Sequence, residues 1–266
     1  MPYLKPLRPF KHAPPVGIER DYAVRIRRLF WVVRKLIEDE ILTALPSVIL
    51  AYKVETHQDA ASDELELMFS RVRRQSTVNI ELNTDEAIKL RAFQTAQWNE
   101  KEVSKMLKSK YGIEFFARNE WLTEVSHLFV INNVNLIKSA NTEFLDRVEQ
   151  IVFSGVRGGV RHEKIAQQLF SQTKNELGRD SPFRNAMTRA SVIARDQVNK
   201  FNGELTMLRQ TNAGVKKYIW RTTGDERVRP LHRSYNGRTF SWKTGTAQGL
   251  HPGRDIMCRC YAEPIL

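Results

Sequence analysis

Four residues near the C-terminus have side chains that bind transition metals. Two are the only cysteines of the chain, Cys258 and Cys260, and two are histidines, His232 and His251. Two thiolates and two imidazoles can complete the tetrahedral coordination of a zinc ion. Their spacing is not that of a standard zinc finger, so ordinary packing and hydrogen bonding is the alternative. With four protein ligands the zinc would be structural, because no coordination position would remain open for a reaction.

Charged residues cluster in the sequence just before and at His232. Asp225 and His232 could hold a catalytic metal ion while Arg227 and Arg229 bind phosphate, as in a nuclease. We favour a structural polar network in which Asp225 pairs with Arg227 or Arg229. The sequence shows no second cluster of acidic ligands and no standard histidine nuclease spacing. We therefore predict no catalytic residue, and we do not expect the chain to be an enzyme.

Almost all of the excess positive charge lies in the C-terminal part of the chain. Residues 1–150 contain 22 Lys and Arg against 21 Asp and Glu, whereas residues 151–266 contain 20 against 9. Such asymmetry favours a polyanionic neighbour, either DNA or an acidic protein surface, over a merely soluble basic domain. Non-specific DNA contacts are predicted at six basic residues, which are Arg227, Arg229, Arg233, Arg238, Lys243 and Arg254.

Cysteine spacing and hydropathy limit the classes of protein to consider. Cys258 and Cys260 are too close in sequence for an unstrained disulfide, which favours a reducing compartment. No run of 18 apolar residues is present, so we expect no membrane span. The first residues are basic and rich in proline, without the apolar region of a signal peptide. They predict an extended N-terminal arm over residues 1–20.

Apolar residues recur at steps of three and four along most of the chain, which predicts helices. A break is predicted at residues 76–83. Ser181 and Pro182 are suited to the N-cap and first position of a long helix that reaches about Gln210. The other helices are predicted over residues 21–45, 85–110, 119–139, 142–153 and 161–170.

The sequence pattern changes after residue 212. Strands are predicted over residues 216–222, 238–242 and 258–265, and Asn236 with Gly237 is typical of a hairpin turn. The predicted fold class is therefore α+β, with a mostly helical body and a small C-terminal α+β cap.

Four short sequence features follow one another in an order typical of one phage protein family. Trp220 stands on a predicted strand, and the run DERVRPLH follows at residues 225–232. An Asn-Gly turn at residues 236–237 and the Cys-Arg-Cys of residues 258–260 complete the order. Together, over about residues 132–261, they resemble the Mu F-like phage head morphogenesis family.

The resemblance implies a division of the chain and a role in the virion. It implies a domain with a helical part, residues 131–212, and a cap, residues 213–266; the helical region 21–130 would precede it. Members of this family are minor head proteins, incorporated into the procapsid in several copies and associated with the portal. The implied location is inside the capsid near the portal, after assembly in the host cytoplasm.

Partners are expected on two sides of the protein. The resemblance implies contacts with the phage portal protein and with capsid or scaffold proteins, and a role in DNA packaging or delivery. We expect the nearly neutral N-terminal part, with its proline-rich arm, to make the main assembly contact, which leaves the basic C-terminal part to face packaged DNA. The alternative function is a metal-dependent nucleic-acid-processing enzyme.

Overall fold

The fold is mostly helical, with one small sheet near the C-terminus. A computed structural model describes residues 10, 12–54, 58–114, 120–175, 178–224, 226 and 228–266. Its helices are α1 (Val16–Ile37), α2 (Leu45–Tyr52), α3 (Gln58–Tyr111), α4 (Leu122–Arg157), α5 (His162–Phe170), α6 (Pro182–Asn212) and α7 (Pro230–Tyr235), with a π-helical segment at Glu38–Leu42. The strands are β1 (Lys217–Arg221), β2 (Thr239–Ser241) and β3 (Tyr261–Ile265). The predicted α+β class is confirmed.

The chain forms two compact units, each assembled from segments that are distant in sequence. The cap unit comprises Met1–Asp21, Ile88–Val130 and Ala194–Leu266. The helical unit comprises Tyr22–Ala87 and Ile131–Ile193. No helix among the described residues is long and apolar enough to cross a membrane.

Aromatic side chains fill the core of the helical unit. Phe30, Phe144 and Phe183 are all but completely buried, and the rings of Phe30 and Phe144 meet edge to face at 6.0 Å. Burial of each ring stabilises the fold by about 2–3 kcal/mol. Tyr22 is also buried, and its hydroxyl donates to Asn133 Oδ1 at 2.8 Å. This pairing leaves the buried phenol satisfied.

The predicted break at residues 76–83 is wrong, because α3 passes through it without interruption. The hydroxyls of Ser76 and Thr77 donate to the carbonyl oxygen of Arg73, each at 2.9 Å. Polar side chains that bond to the helix's own carbonyls in this way do not end the helix. Ser76 is buried and accepts a hydrogen bond from Asn141 Nδ2 at 3.0 Å. The helices predicted over residues 119–139 and 142–153 are likewise one helix, α4.

The long helix predicted after Ser181 is confirmed as α6. Ser181 Oγ accepts a hydrogen bond from the backbone N–H of Arg184 at 3.2 Å, as expected for an N-cap. Pro182 is the first residue of the helix. Its fixed φ suits this position, and its missing N–H is not needed there.

A three-stranded antiparallel sheet is the centre of the cap unit, and all three predicted strands are confirmed. Strand β1 lies between β2 and β3. Its Tyr218 and Trp220 are fully buried. The Asn-Gly pair does not close a two-residue hairpin, because α7 lies between β1 and β2. Instead, Gly237 has a φ of 82° and begins the return into β2, and its N–H donates to the carbonyl of Trp220.

Part of the predicted N-terminal arm packs within the cap unit. Residues 1–9 and 11 lie outside the described residues, and α1 already begins at Val16. The imidazole of His12 stacks on Tyr261 at 4.5 Å and meets Trp98 edge to face at 5.4 Å. The hydroxyl of Tyr261 donates to the carbonyl of Phe10 at 3.3 Å. These contacts hold the segment just before α1 against α3 and β3.

Candidate metal centre

Three side chains that bind metals converge in the cap unit. His232 stands on α7, which begins at Pro230, and Cys258 and Cys260 lie in the loop that leads into β3. His232 Nδ1 is 3.4 Å from Cys258 Sγ and 3.6 Å from Cys260 Sγ. All three ligand atoms lie within 4.8 Å of one another. The residues are only 3%, 5% and 8% exposed, so the cluster is largely buried.

Helix α6 fixes the loop that carries the cysteines. Met257 has a φ of 54°, a left-handed conformation that costs a non-glycine residue about 1–2 kcal/mol. Its N–H donates to Asp196 Oδ1 at 2.8 Å, and its carbonyl accepts from Arg195 Nη2 at 3.3 Å. Both partners lie on α6, so the helix holds Met257 in the conformation that turns Cys258 toward His232.

A glycine pair allows α6 to approach this loop. A Cβ at Gly203 would lie 2.9 Å from the carbonyl oxygen of Pro252 and 3.2 Å from Cα of Gly253. Both neighbours are backbone atoms, which cannot move aside as a flexible side chain can. Only glycine at position 203 permits this distance between the helix and the loop.

Hydrogen bonding within the cluster shifts the pKa values of the two thiols in opposite directions. The pKa of Cys258 is lowered, mainly by a hydrogen bond from the Cys260 side chain and then by His232. The same contact with Cys258 raises the pKa of Cys260. The pKa of His232 is raised, chiefly by its hydrogen bond with Cys258, against the effect of burial. The lowered pKa of Cys258 favours a thiolate at the sulfur beside the imidazole.

Asp255 and Arg229 support His232 from the side opposite to the sulfurs. Asp255 Oδ2 lies 3.2 Å from His232 Nε2 and accepts a hydrogen bond from Arg229 Nη1 at 2.5 Å. Arg229 Nη2 also donates to the carbonyl of Ile256 at 2.6 Å. The predicted partner of Arg229, Asp225, lies outside the described residues, as does Arg227. Sequence reasoning missed Asp255, whose only signal is its position three residues before Cys258.

His251, the fourth predicted zinc ligand, lies elsewhere in the cap unit. Its Nδ1 is hydrogen-bonded to the hydroxyl of Tyr218 at 3.0 Å, and its ring stacks on Trp242 at 5.3 Å. Burial lowers its pKa. Among the described residues, the group that could hold a metal consists of His232, Cys258 and Cys260.

A cavity of about 220 Å³ lies against the three ligand atoms. His232, Cys258 and Cys260 form part of its wall, with Thr223 and Arg195 among the other lining residues. The cavity can admit water or a small ligand group to the cluster.

The basic residues predicted to contact DNA differ in the contacts that their charged groups make within the protein. Arg229 is engaged by Asp255, as described above. The other four described residues are exposed to solvent, and these are Arg233, Arg238, Lys243 and Arg254. Two of them make weak contacts within the cap, Arg233 with the carbonyl of Val228 at 3.5 Å and Arg254 with Met207 Sδ at 3.6 Å. Their charged groups therefore stay accessible to phosphate.

Comparison with known proteins gives one family and two relatives. Residues 146–263 match the family described as Phage Mu protein F like protein. An uncharacterized protein of Haemophilus influenzae is 36% identical over 171 residues, which is 63% of this chain and 36% of that protein. An uncharacterized protein of Methanocaldococcus jannaschii is 29% identical over 131 residues, or 49% of this chain and 18% of that protein.

The family match covers the candidate site, and the chain spans only part of the two relatives. The chain thus spans 36% and 18% of the lengths of these two proteins. No solved structure matches the chain. The family match extends from within α4 into β3, and it includes His232, Asp255, Cys258 and Cys260.

Proposed function

We propose that this chain, whose residues 146–263 belong to the Phage Mu protein F like family, is a minor head protein that enters the phage procapsid during assembly. The family match carries this proposal, since it covers the C-terminal third of α4, all of α5, α6 and α7, and most of the sheet. A head morphogenesis protein contacts other capsid components. We infer that its partners are the portal and the capsid or scaffold, and that several copies lie inside the capsid near the portal.

We infer a structural role for the chain, and charge supports separate protein-facing and DNA-facing parts. Residues 151–266 carry 20 Lys and Arg against 9 Asp and Glu. Exposed cations such as Arg238 and Lys243 suit the phosphates of packaged DNA, which are bound without regard to sequence. The nearly neutral N-terminal part suits contacts with a protein surface. Residues 1–9, which precede the packed segment at His12, are the best candidates for a docking arm.

Incorporation into procapsids tests the assembly role. We expect the full chain, co-expressed with the phage portal, capsid and scaffold proteins, to copurify with procapsids. Deletion of residues 1–9 should lower incorporation at least several-fold and leave the thermal unfolding of the purified chain unchanged, because the deletion stops before His12. The matched control replaces four exposed cap cations by glutamine, at Arg233, Arg238, Lys243 and Arg254, and should be incorporated normally.

Two outcomes of this experiment would contradict the proposal. Absence of the full chain from procapsids would reject the assembly role. Normal incorporation of the deletion, with loss in the four-charge control, would show that the protein-facing and DNA-facing parts are the reverse of those proposed.

Salt-dependent binding tests the DNA-facing role. Each phosphate contact contributes about 0.9 to the slope of log affinity against log salt concentration. The cap variant with glutamine in place of Arg233, Arg238, Lys243 and Arg254 should therefore lose up to about 4 from the slope. Its affinity for duplex DNA should fall more than about tenfold at low salt. Fluorescence anisotropy with labelled duplexes of two unrelated sequences measures both quantities.

The control for DNA binding changes the same number of charges in the helical unit. It replaces four exposed basic residues by glutamine, namely Arg25, Arg28, Lys35 and Arg74. This variant should keep most of the affinity and most of the salt slope. Equal losses in the two variants would show that net charge alone governs binding, and that the cap has no DNA-binding surface of its own.

A further inference from the structure

We propose that His232 Nδ1, Cys258 Sγ and Cys260 Sγ bind one zinc ion, and that Asp255 and Arg229 are positioning residues that orient His232 toward it. The three ligands differ from the four predicted from sequence, because His251 is not among them. Asp255 is not a ligand, but its carboxylate contacts the imidazole of His232. The proposal does not depend on a role of the chain in phage heads.

The two distances from the imidazole nitrogen to the sulfurs match tetrahedral zinc. Bonds of about 2.3 Å to sulfur and about 2.0–2.1 Å to nitrogen place a nitrogen and a sulfur ligand about 3.6 Å apart. The two distances from His232 Nδ1 are 3.4 Å to Cys258 Sγ and 3.6 Å to Cys260 Sγ. One ring nitrogen has a single lone pair or a single proton, so it cannot make two good hydrogen bonds to two sulfurs. A metal ion between the three atoms satisfies them together.

The side chains of Asp255 and Arg229 lie on the Nε2 side of His232 and leave Nδ1 free for the metal. Asp255 Oδ2 lies 3.2 Å from His232 Nε2 without the geometry of a hydrogen bond, and its nearby negative charge favours a proton on Nε2 and an open lone pair on Nδ1. The carboxylate is itself fixed by Arg229 and by the N–H of Ile256, which donates to Asp255 Oδ1 at 2.7 Å. A carboxylate behind a ligating histidine is the usual arrangement in zinc sites.

The local backbone and the type of ligand also favour zinc. The N–H of Cys260 points to Cys258 Sγ at 3.4 Å and stabilises negative charge on that sulfur. Two thiolates and an imidazole select zinc over magnesium or calcium, which prefer oxygen ligands. No fourth ligand joins the group among the described residues. The three residues line a cavity, from which water or a further group would complete the tetrahedron.

Zinc content is the first test. Full-length protein purified without chelators and then incubated with Zn²⁺ and desalted should contain about one zinc per chain by elemental analysis. His232→Ala and Cys258→Ser should each lower the zinc content at least tenfold. The control is His251→Ala, whose imidazole bonds to Tyr218, and it should keep the metal. A folded wild-type chain that holds no zinc after this treatment would overturn the proposal, and so would loss of zinc in His251→Ala alone.

Cobalt binding by the wild-type chain tests the same ligands without a variant that could fail to fold. Wild-type chain titrated with Co²⁺ should saturate at one equivalent. Its spectrum should show thiolate-to-cobalt charge transfer in the near ultraviolet and the strong visible bands of tetrahedral cobalt. Saturation without a charge-transfer band would exclude both cysteines as ligands and overturn the proposal.

The positioning role is tested by affinity. Asp255→Asn should bind zinc about 10–100-fold more weakly, as expected when the partner of a ligating histidine is removed. Its zinc content at saturating Zn²⁺ should stay at one per chain, because the three ligands remain. Competition with a chromophoric chelator measures the affinity, and Asp39→Asn in the helical unit is the control. An Asp255→Asn affinity equal to that of the wild type would overturn the assignment of Asp255.

Discussion

Glu19→Gln is expected to lower the free energy of unfolding by about 3–5 kcal/mol, because it breaks a buried ion pair and leaves one charge uncompensated. Glu19 is 5% exposed. Its Oε1 accepts from Arg259 Nε at 3.2 Å and from Asn199 Nδ2 at 2.9 Å, and its Oε2 accepts from Arg259 Nη2. The Arg259 side chain is only 16% exposed, so water replaces little of the lost carboxylate.

Urea denaturation of zinc-saturated protein measures this effect, and an exposed pair provides the control. Lys35 of α1 and Asp39 of the π-helical segment are paired at 2.7 Å, but their side chains are 68% and 56% exposed. Solvent screens such a pair, so Asp39→Asn should leave stability almost unchanged. If the loss for Glu19→Gln were no larger than that for Asp39→Asn, the ion pair would contribute nothing to the cap unit.

Sequence patterns predicted the elements whose signals are local. The periodicity after Ser181 predicted α6 to within a few residues, and alternating and aromatic residues predicted the strands. The break at residues 76–83 was wrong because its first polar residue, Ser76, is buried and hydrogen-bonded inside the fold. Ser76 bonds to Asn141, which is 65 residues away in sequence. No local pattern reports such a partner.

In the candidate site, too, contacts between residues distant in sequence could not be predicted. Residue type alone identified His232, Cys258 and Cys260, because few side chains bind soft metals. It could not separate His232 from His251, since the difference is the hydrogen bond of His251 to Tyr218, 33 residues away. Asp255 was missed because a carboxylate that orients a ligand needs no fixed spacing from it. The division of the chain into four sequential regions stays a prediction.

The cap unit is expected to lose stability as the pH falls from about 6.5 to about 4, because His12 is buried in its neutral form. Burial lowers the pKa of His12 to about 4 from its ordinary value of 6.5. Glu102 Oε2 lies 3.9 Å from His12 Nδ1, too far for a hydrogen bond that would offset the loss of water. The unfolded chain therefore binds a proton at a higher pH than the folded chain does. The stabilising effect is complete above pH 6.5 and is lost as the pH falls toward 4.

The difference in pKa corresponds to about 3 kcal/mol between the two ends of this pH range. His12→Phe keeps an aromatic ring against Tyr261 and Trp98 but cannot be protonated. We expect the free energy of unfolding of the wild type, measured in urea at a series of pH values, to fall by about 3 kcal/mol more than that of His12→Phe between pH 7 and pH 4. His162→Asn, at the partly exposed start of α5, controls for the loss of a histidine as such. Parallel profiles for the wild type and His12→Phe would contradict this prediction. They would show that the segment before α1 leaves the cap unit at low pH, so that His12 does not carry a buried charge.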